Sequence, residues 1–303
     1  MRDALKVLIA YDGSDAELND LGRAGLPMAV EAVVVTVADI IPPPPDEALP
    51  ADDKPTIRIP KVERHARAHA AKAIQGARAL AERGARRVKA DFPTWDVRVQ
   101  VRCDSPAWAV VKMADSDNPN LIVVGCHRHP LLGGRLILGS VSQRVLYEAP
   151  CSVRVARCSD HKRKGPARIV VGFNGSPDSE LAVASVASRA WPEGSEARVI
   201  TARDTLSPAM HGVAVERLSA AGLRTLEVSR NGDPAKVLIK EAEAWGADSI
   251  FVGTRDVRGL QHLLHGSVSS TVAARAQCSV EVTRARVGTG PEQQSERITS
   301  NVG

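Results

Sequence analysis

Asp12, Gly125 and the pair Gly139-Ser140 are the residues of this chain whose types and placement suit chemistry. Asp12 follows the apolar run Val7-Leu8-Ile9-Ala10, and Gly125 closes the run Leu121-Ile122-Val123-Val124. Gly139-Ser140 opens a stretch with helical spacing. A carboxylate just past a first strand is placed to accept from a ribose hydroxyl or an adenine amino group. A glycine lets a backbone approach closely. A helix start offers unsatisfied N–H groups and a partial positive charge to a phosphate. Together the three fit an adenine nucleotide. A plainer account stands beside this one. Ser140 and Gln143 have capping-box spacing, and Asp12-Gly13 and Asn174-Gly175 are ordinary turn pairs.

Part of the pattern is written twice. Gly139-Ser140-Val141-Ser142 through Ala149-Pro150-Cys151-Ser152-Val153-Arg154-Val155-Ala156-Arg157 reappears as Gly266-Ser267-Val268-Ser269 through Ala276-Gln277-Cys278-Ser279-Val280-Glu281-Val282-Thr283-Arg284. That much identity at one fixed offset marks a tandem duplication. The division expected is 1–158 and 167–284, with a Gly-, Ser- and Gln-rich tail over 285–303 that reads as disordered.

The elements that must position these residues alternate, strand then helix. In the first copy the strands read as Val7–Ala10, Val33–Val37, Trp95–Val101, Leu121–Val124 and Ser152–Ala156. Pro42 to Pro45 and the acidic residues up to Lys54 read as a polar insertion of about 42–60 that does not pack. Arg64 to Ala85 carries Ala70, Ala73, Ile74, Ala77 and Leu80 at helical spacing, with Gly84 where a cap belongs. Ser105-Pro106 opens another helix. The second copy repeats the plan with Ile169–Val171, Arg198–Thr201, Thr225–Val228 and Ile250–Val252, and Gly232-Asp233-Pro234-Ala235 before a helix. Short connections between alternating elements imply parallel sheets with right-handed crossovers, hence two Rossmann-like α/β domains in series. In such sheets ligands sit beyond the carboxyl ends of the strands.

Composition narrows the function. The 303 residues are 44% hydrophobic and 25% charged, the balance of a globular chain. Aromatics are only 3%, which leaves no stacking platform for single-stranded nucleic acid. The net charge of +5 is spread along the chain, and the one compact basic run, His161-Lys162-Arg163-Lys164, reads as a solvated linker. No apolar run approaches the ~20 residues of a membrane span. Five cysteines without a C-x-x-C pair point to reduced thiols and a cytoplasmic location.

Tyr11-Asp12-Gly13-Ser14, Asp104-Ser105-Pro106-Ala107, Val123-Val124-Gly125 and Gly139-Ser140-Val141-Ser142 leading to Ala149-Pro150-Cys151-Ser152-Val153 together resemble the universal stress protein family. Gly175-Ser176, Gly232-Asp233-Pro234-Ala235, Val252-Gly253 and Gly266-Ser267-Val268-Ser269 are the second-copy counterparts, so the resemblance covers nearly the whole chain. It implies an adenine nucleotide alpha hydrolase-like, open five-stranded parallel sheet per domain, with helices on both faces. It also implies an intramolecular pseudo-dimer of the two domains, and leaves a homodimer of the chain open. In one branch it implies ATP or AMP, with Mg when the ligand is ATP, bound through G-x2-G-x9-G-[S/T]. On that motif Asp12 and Val37 contact base and ribose, while Gly125, Gly139, Ser140 and Val141 hold the phosphates.

Both copies depart from the motif. Copy one runs Gly125-Cys126-His127-Arg128-His129 without the middle glycine, and its loop is one residue too long; Gly133-Gly134 and Arg128 could compensate. Copy two keeps Gly253, Gly266 and Ser267 but puts Asp256 at the middle glycine and Asn174 in place of the aspartate. A carboxylate about 5 Å from a phosphate costs about 3 kcal/mol at an effective dielectric near 20, against about 0.3–1 kcal/mol from a helix terminus. The second site is therefore expected to be degenerate.

His65 and His69 lie four apart with no third ligand and read as a solvated helix face; His262 and His265 are weaker still. Cys151 and Cys278 read as core packing. There is no P-loop lysine, G-x-S-x-G or H-E-x-x-H. The expectation is a regulatory module rather than an enzyme, binding an adenine nucleotide in copy one. The alternative is a scaffold whose loops have become partner surfaces. The last strands, through Val153/Val155 and Val280/Val282, are expected to pair with each other.

Overall fold

A computed structural model describes residues 4–14, 16–40, 61–128, 136–157, 165–202, 208–254 and 268–285. The strands are β1 (Leu5–Ala10), β2 (Val30–Ala38), β3 (Asp96–Cys103), β4 (Leu121–Gly125), β5 (His127–Arg128), β6 (Leu136–Ile137), β7 (Ser152–Ala156), β8 (Arg168–Gly172), β9 (Glu196–Thr201), β10 (Arg224–Ser229), β11 (Ser249–Gly253) and β12 (Ser279–Thr283). The helices are α1 (Ala16–Leu21), α2 (Lys61–Asp91), α3 (Pro106–Asp117), α4 (Ser140–Glu148), α5 (Pro177–Ala187), α6 (Pro208–Ala220), α7 (Pro234–Trp245) and α8 (Val268–Arg275).

Ten strands form one sheet in the order β10-β9-β8-β11-β12-β7-β4-β1-β2-β3, while β5 and β6 make a separate antiparallel ribbon. Each half contributes five parallel strands with the same order, and the halves meet where β7 and β12 pair antiparallel. The expected pairing of Val153 and Val155 with Val282 and Val280 is therefore realised.

Side-chain alternation puts helices on both faces. Val7, Ile9, Leu121 and Val123 join Leu18, Leu21, Val88 and Trp95 on the α1 and α2 face. Leu8, Ile122 and Val124 join Val110, Val111, Val145 and Leu146 on the α3 and α4 face. That second core runs on through Val153 and Val155 to Val280, Val282, Leu238 and Val272 of the second half, so one apolar layer crosses the junction. The run Leu121–Val124 is at most 2% exposed, as a parallel strand covered on both faces must be.

Local chemistry sets the helix ends. Pro106 and Pro177 start α3 and α5, where the missing N–H costs nothing. Asp233 caps α7 by accepting from the Lys236 N–H at 3.0 Å, and Gly246 ends it at φ +68°. One expected boundary differs. Gly84 lies inside α2, which continues to Asp91. A Cβ there would come within 2.7 Å of the Tyr11 ring, so this glycine makes room for an aromatic rather than ending a helix. The insertion at 42–60, the run His161 to Lys164 and the tail beyond residue 285 lie outside the described residues.

Candidate functional site

β1 is flanked by β2 on one side and β4 on the other, so the chain reverses its direction of travel across the sheet there. Ala10 stands opposite Val35 and Val124. The residues that follow, Tyr11 and Asp12, therefore leave the sheet level with Thr36, Val37, Gly125 and Cys126. This is the switch-point geometry at which open α/β sheets bind ligands. Two bonds fix the exit: the Tyr11 N–H donates to the Val35 carbonyl at 2.8 Å, and the buried Thr36 hydroxyl donates to the Tyr11 carbonyl at 2.8 Å. The second half repeats both, from Phe173 N–H to Ile200 at 2.9 Å and from Thr201 Oγ1 to Phe173 at 3.0 Å.

Asp12 is exposed, and its Oδ1 accepts the Ser14 N–H at 2.8 Å across Gly13, which sits at φ +100°. Asn174 makes the same turn, accepting from Ser176 N–H at 3.1 Å across Gly175 at φ +73°. The turn-pair account is thus structurally correct for both. Arg83 of α2 reaches the turn, its Nη2 3.4 Å from the Tyr11 hydroxyl and 3.5 Å from the Gly13 carbonyl. Sequence reasoning missed this cation, because only the fold brings α2 across the β1–α1 turn.

The second group of residues centres on α4. Gly139 is its N-cap, in extended backbone at φ −65° and ψ 161°, with no side-chain cap bond. Ser140 is the first helical residue, so the Ser140/Gln143 capping box is not formed; the Gln143 N–H donates to the Gly139 carbonyl at 2.8 Å instead. Among the described residues, a Cβ built on Gly139 meets nothing within 4 Å. The buried Ser142 hydroxyl donates to the Gly125 carbonyl at 2.6 Å, which ties the start of α4 to the end of β4. Val37 and Val141 pack partly buried against the core beneath.

Gly125 acts differently from expectation. Its Cβ direction is filled by the protein: an added Cβ would overlap the carboxylate of Glu17, a residue 1% exposed that also accepts from Ser14 Oγ at 2.9 Å. In the second half the same direction at Gly253 is filled by the Asp178 carbonyl at the start of α5. Both glycines let the first helix of their half pack closely on the sheet. Any approach of a ligand to Gly125 must come from the α4 side.

Asp256, Gly266, Ser267, His262, His265, His129 and Gly133-Gly134 lie outside the described residues, and of Arg128 only its place in β5 is described. His65 and His69 both lie on α2, and no group of three or more metal-ligating side chains occurs among the described residues. Cys151 is 1% exposed in the core. Burial pushes the Cys126 thiol up, and that of Cys278 up to about 12. A cavity of about 850 Å³ lies away from the switch point, between α1 of the first half and the amino ends of β11 and β12.

A model of the universal stress protein family matches residues 4–157 and 211–284. The chain belongs to the universal stress protein family. Universal stress protein Rv2623 of Mycobacterium tuberculosis is 34% identical over 187 residues, covering 54% of this chain and 61% of that protein. Universal stress protein Rv2005c of the same organism is 30% identical over 189 residues, covering 56% and 63%. The chain thus spans about six-tenths of the length of these curated relatives. The crystal structure of a universal stress protein from Archaeoglobus fulgidus superposes with a TM-score of 0.60 at 19% identity, covering 93% of this chain and 97% of that one. At that identity the likeness establishes the fold alone. Among the described residues of this universal stress protein, no helix is long and apolar enough to cross a membrane.

Proposed function

We propose that this universal stress protein is a stress-response regulatory module whose first half binds one adenine nucleotide, AMP or ATP, at the switch point beside β1, and whose second half does not. One observation supports it above the others. The start of α4 has a glycine N-cap with no side chain over its N–H groups, is anchored to the end of β4 through Ser142, and meets no neighbour in front of Gly139 among the described residues. Backbone N–H groups of Gly139, Ser140 and Val141 would take the phosphates, with the helix dipole behind them. Asp12 would accept from the ribose or base, Val37 would line the base, and Arg83 adds a positive charge at the rim. Magnesium would accompany ATP. Among the described residues no side chain here has the placement of a nucleophile and base, and the reading is binding rather than turnover. In the second half Asn174 replaces the carboxylate, and Asp256 would oppose a phosphate.

A scaffold without cargo is the second reading, and the position of the Glu17 carboxylate behind Gly125 favours it. Heat-denaturing the purified protein and chromatographing the supernatant separates the two. The nucleotide reading expects released AMP or ATP, or saturable binding on titration. Asp12→Ala should then weaken binding by about tenfold or more, the loss of one charge-assisted hydrogen bond. Neither released nucleotide nor binding below millimolar concentration would favour the scaffold.

A further inference from the structure

Four ionisable side chains form a linked row in the core where the halves meet, beside the buried Arg157, and the nucleotide site uses none of them. Arg154 and Glu281 are both 0% exposed. Arg154 donates to Asp20 through Nε and, at 3.0 Å, through Nη2, while its Nη1 lies 3.5 Å from Glu281 Oε2. Glu281 Oε1 accepts from Arg189 and, at 3.1 Å, from Ser185 Oγ. The row Asp20, Arg154, Glu281, Arg189 alternates in sign and sums to zero. Burial alone would lower the Arg154 guanidinium, but Asp20 and then Glu281 outweigh it and hold it above its ordinary pKa. For Arg189 burial prevails over Glu281, and its pKa lies below the ordinary value.

Arg154 and Glu281 hold the same place in the two copies, since Ser152-Val153-Arg154-Val155 aligns with Ser279-Val280-Glu281-Val282. In the junction Arg154 stands opposite Glu281, with Val153 opposite Val282 and Val155 opposite Val280. The central position therefore faces its own counterpart. Contacts around it are reciprocal. The Arg157 N–H donates to Ser279 Oγ at 3.0 Å, and the Arg284 N–H to Ser152 Oγ at 3.2 Å. The Arg157 guanidinium donates to the Ala273 carbonyl in the last turn of α8, and that of Arg284 to the Leu146 and Ala149 carbonyls at the end of α4. The junction is symmetric in all of these respects and asymmetric in charge. If either half met its own kind, two arginines or two glutamates would face each other away from water, which is strongly unfavourable.

We propose that Arg154 and Glu281 form a pairing code by which the two halves accept each other and reject themselves. The surface of β7 fits a β12 strand carrying Glu281, from this chain or a second copy, and never a second β7. Specificity of this kind comes from the penalty against the wrong partner more than from the strength of the right one.

Full-length chains test it. Glu281→Arg and Arg154→Glu, differently tagged, each have only like-charged junctions available. Co-expressed, they can rebuild the native pair between chains, with Arg154 beside Asp20 from one and Glu281 beside Arg189 from the other. Two wild-type copies with the same tags set the baseline. Cross-purification of the variants several-fold above that baseline is expected, including the case in which each is insoluble alone and rescued by the other. Baseline capture with both variants soluble overturns the proposal. Should the pair stay insoluble, the neutral changes Arg154→Met and Glu281→Met decide, since each removes the pair without creating a like-charged one. Each should yield several-fold more soluble protein than the like-charged Arg154→Glu or Glu281→Arg. Equal yields from the neutral and the like-charged variants would overturn the pairing.

Discussion

Gly84, Gly125 and Gly253 all have neighbours where a Cβ would go, whereas Gly139 has none among the described residues. Gly139→Val should therefore cost no more than about 1 kcal/mol of stability, the scale of a poorer N-cap. It should nonetheless abolish nucleotide binding, because the new side chain fills the space before the α4 N–H groups. Urea melts paired with nucleotide titration check both halves of that statement. Cys278 carries a second prediction. Its thiol is raised to about 12 by burial. A raised thiol is protonated in the folded chain while the unfolded one ionises near its ordinary value of about 8.5. Its contribution is thus complete below that value and lost as pH climbs toward 12. Thermal midpoints should fall over that alkaline window, and Cys278→Ser should flatten the fall; an unchanged slope would contradict it.

Among the elements, those fixed by apolar runs were legible and those fixed by distant partners were not. Leu121–Val124 reads as a strand buried on both faces because four consecutive apolar residues have no other use, and it is one. Gly84 reads as a cap because a glycine near the end of a periodic stretch looks the same whether it ends the helix or faces a ring. Tyr11 decides between these, and it is far away in sequence. Gly84→Ala should therefore destabilise by about 1–3 kcal/mol, the usual cost of overpacking, despite the better helix propensity of alanine. A chemical-denaturation midpoint that rose would refute this. The ribbon of β5 and β6 has two residues per strand, too few for any period to register. Of the site, Asp12, Val37, Gly125 and the Gly139-Ser140 start were named from sequence and do converge on one sheet end. Arg83 and the Glu17 carboxylate were not, since nothing local marks an exposed arginine as reaching the β1–α1 turn or a first-turn glutamate as packing behind Gly125.

Over the whole molecule, one ten-stranded sheet and one apolar layer crossing the junction argue that the halves unfold together. Calorimetry should show a single transition with matching calorimetric and van't Hoff enthalpies; two resolved transitions would contradict it. Gly25 ties the halves as well. It sits at φ +63° against the Trp191 ring, and its carbonyl accepts the Ala190 N–H at 2.9 Å. The duplication was plain in the sequence, but the buried charges at its junction were not, since charged residues are assigned to the surface by default. Their signal was present all the same. Arg154 and Glu281 each interrupt a valine strand, at matching places of the two copies and with opposite sign.

Whether the first half holds a nucleotide is decided by a calorimetric titration of AMP and ATP into the full-length protein. One site per chain is expected, lost in Gly139→Val and kept in Asn174→Ala. An absence of heat below millimolar concentration, or a site that survives Gly139→Val, would contradict it.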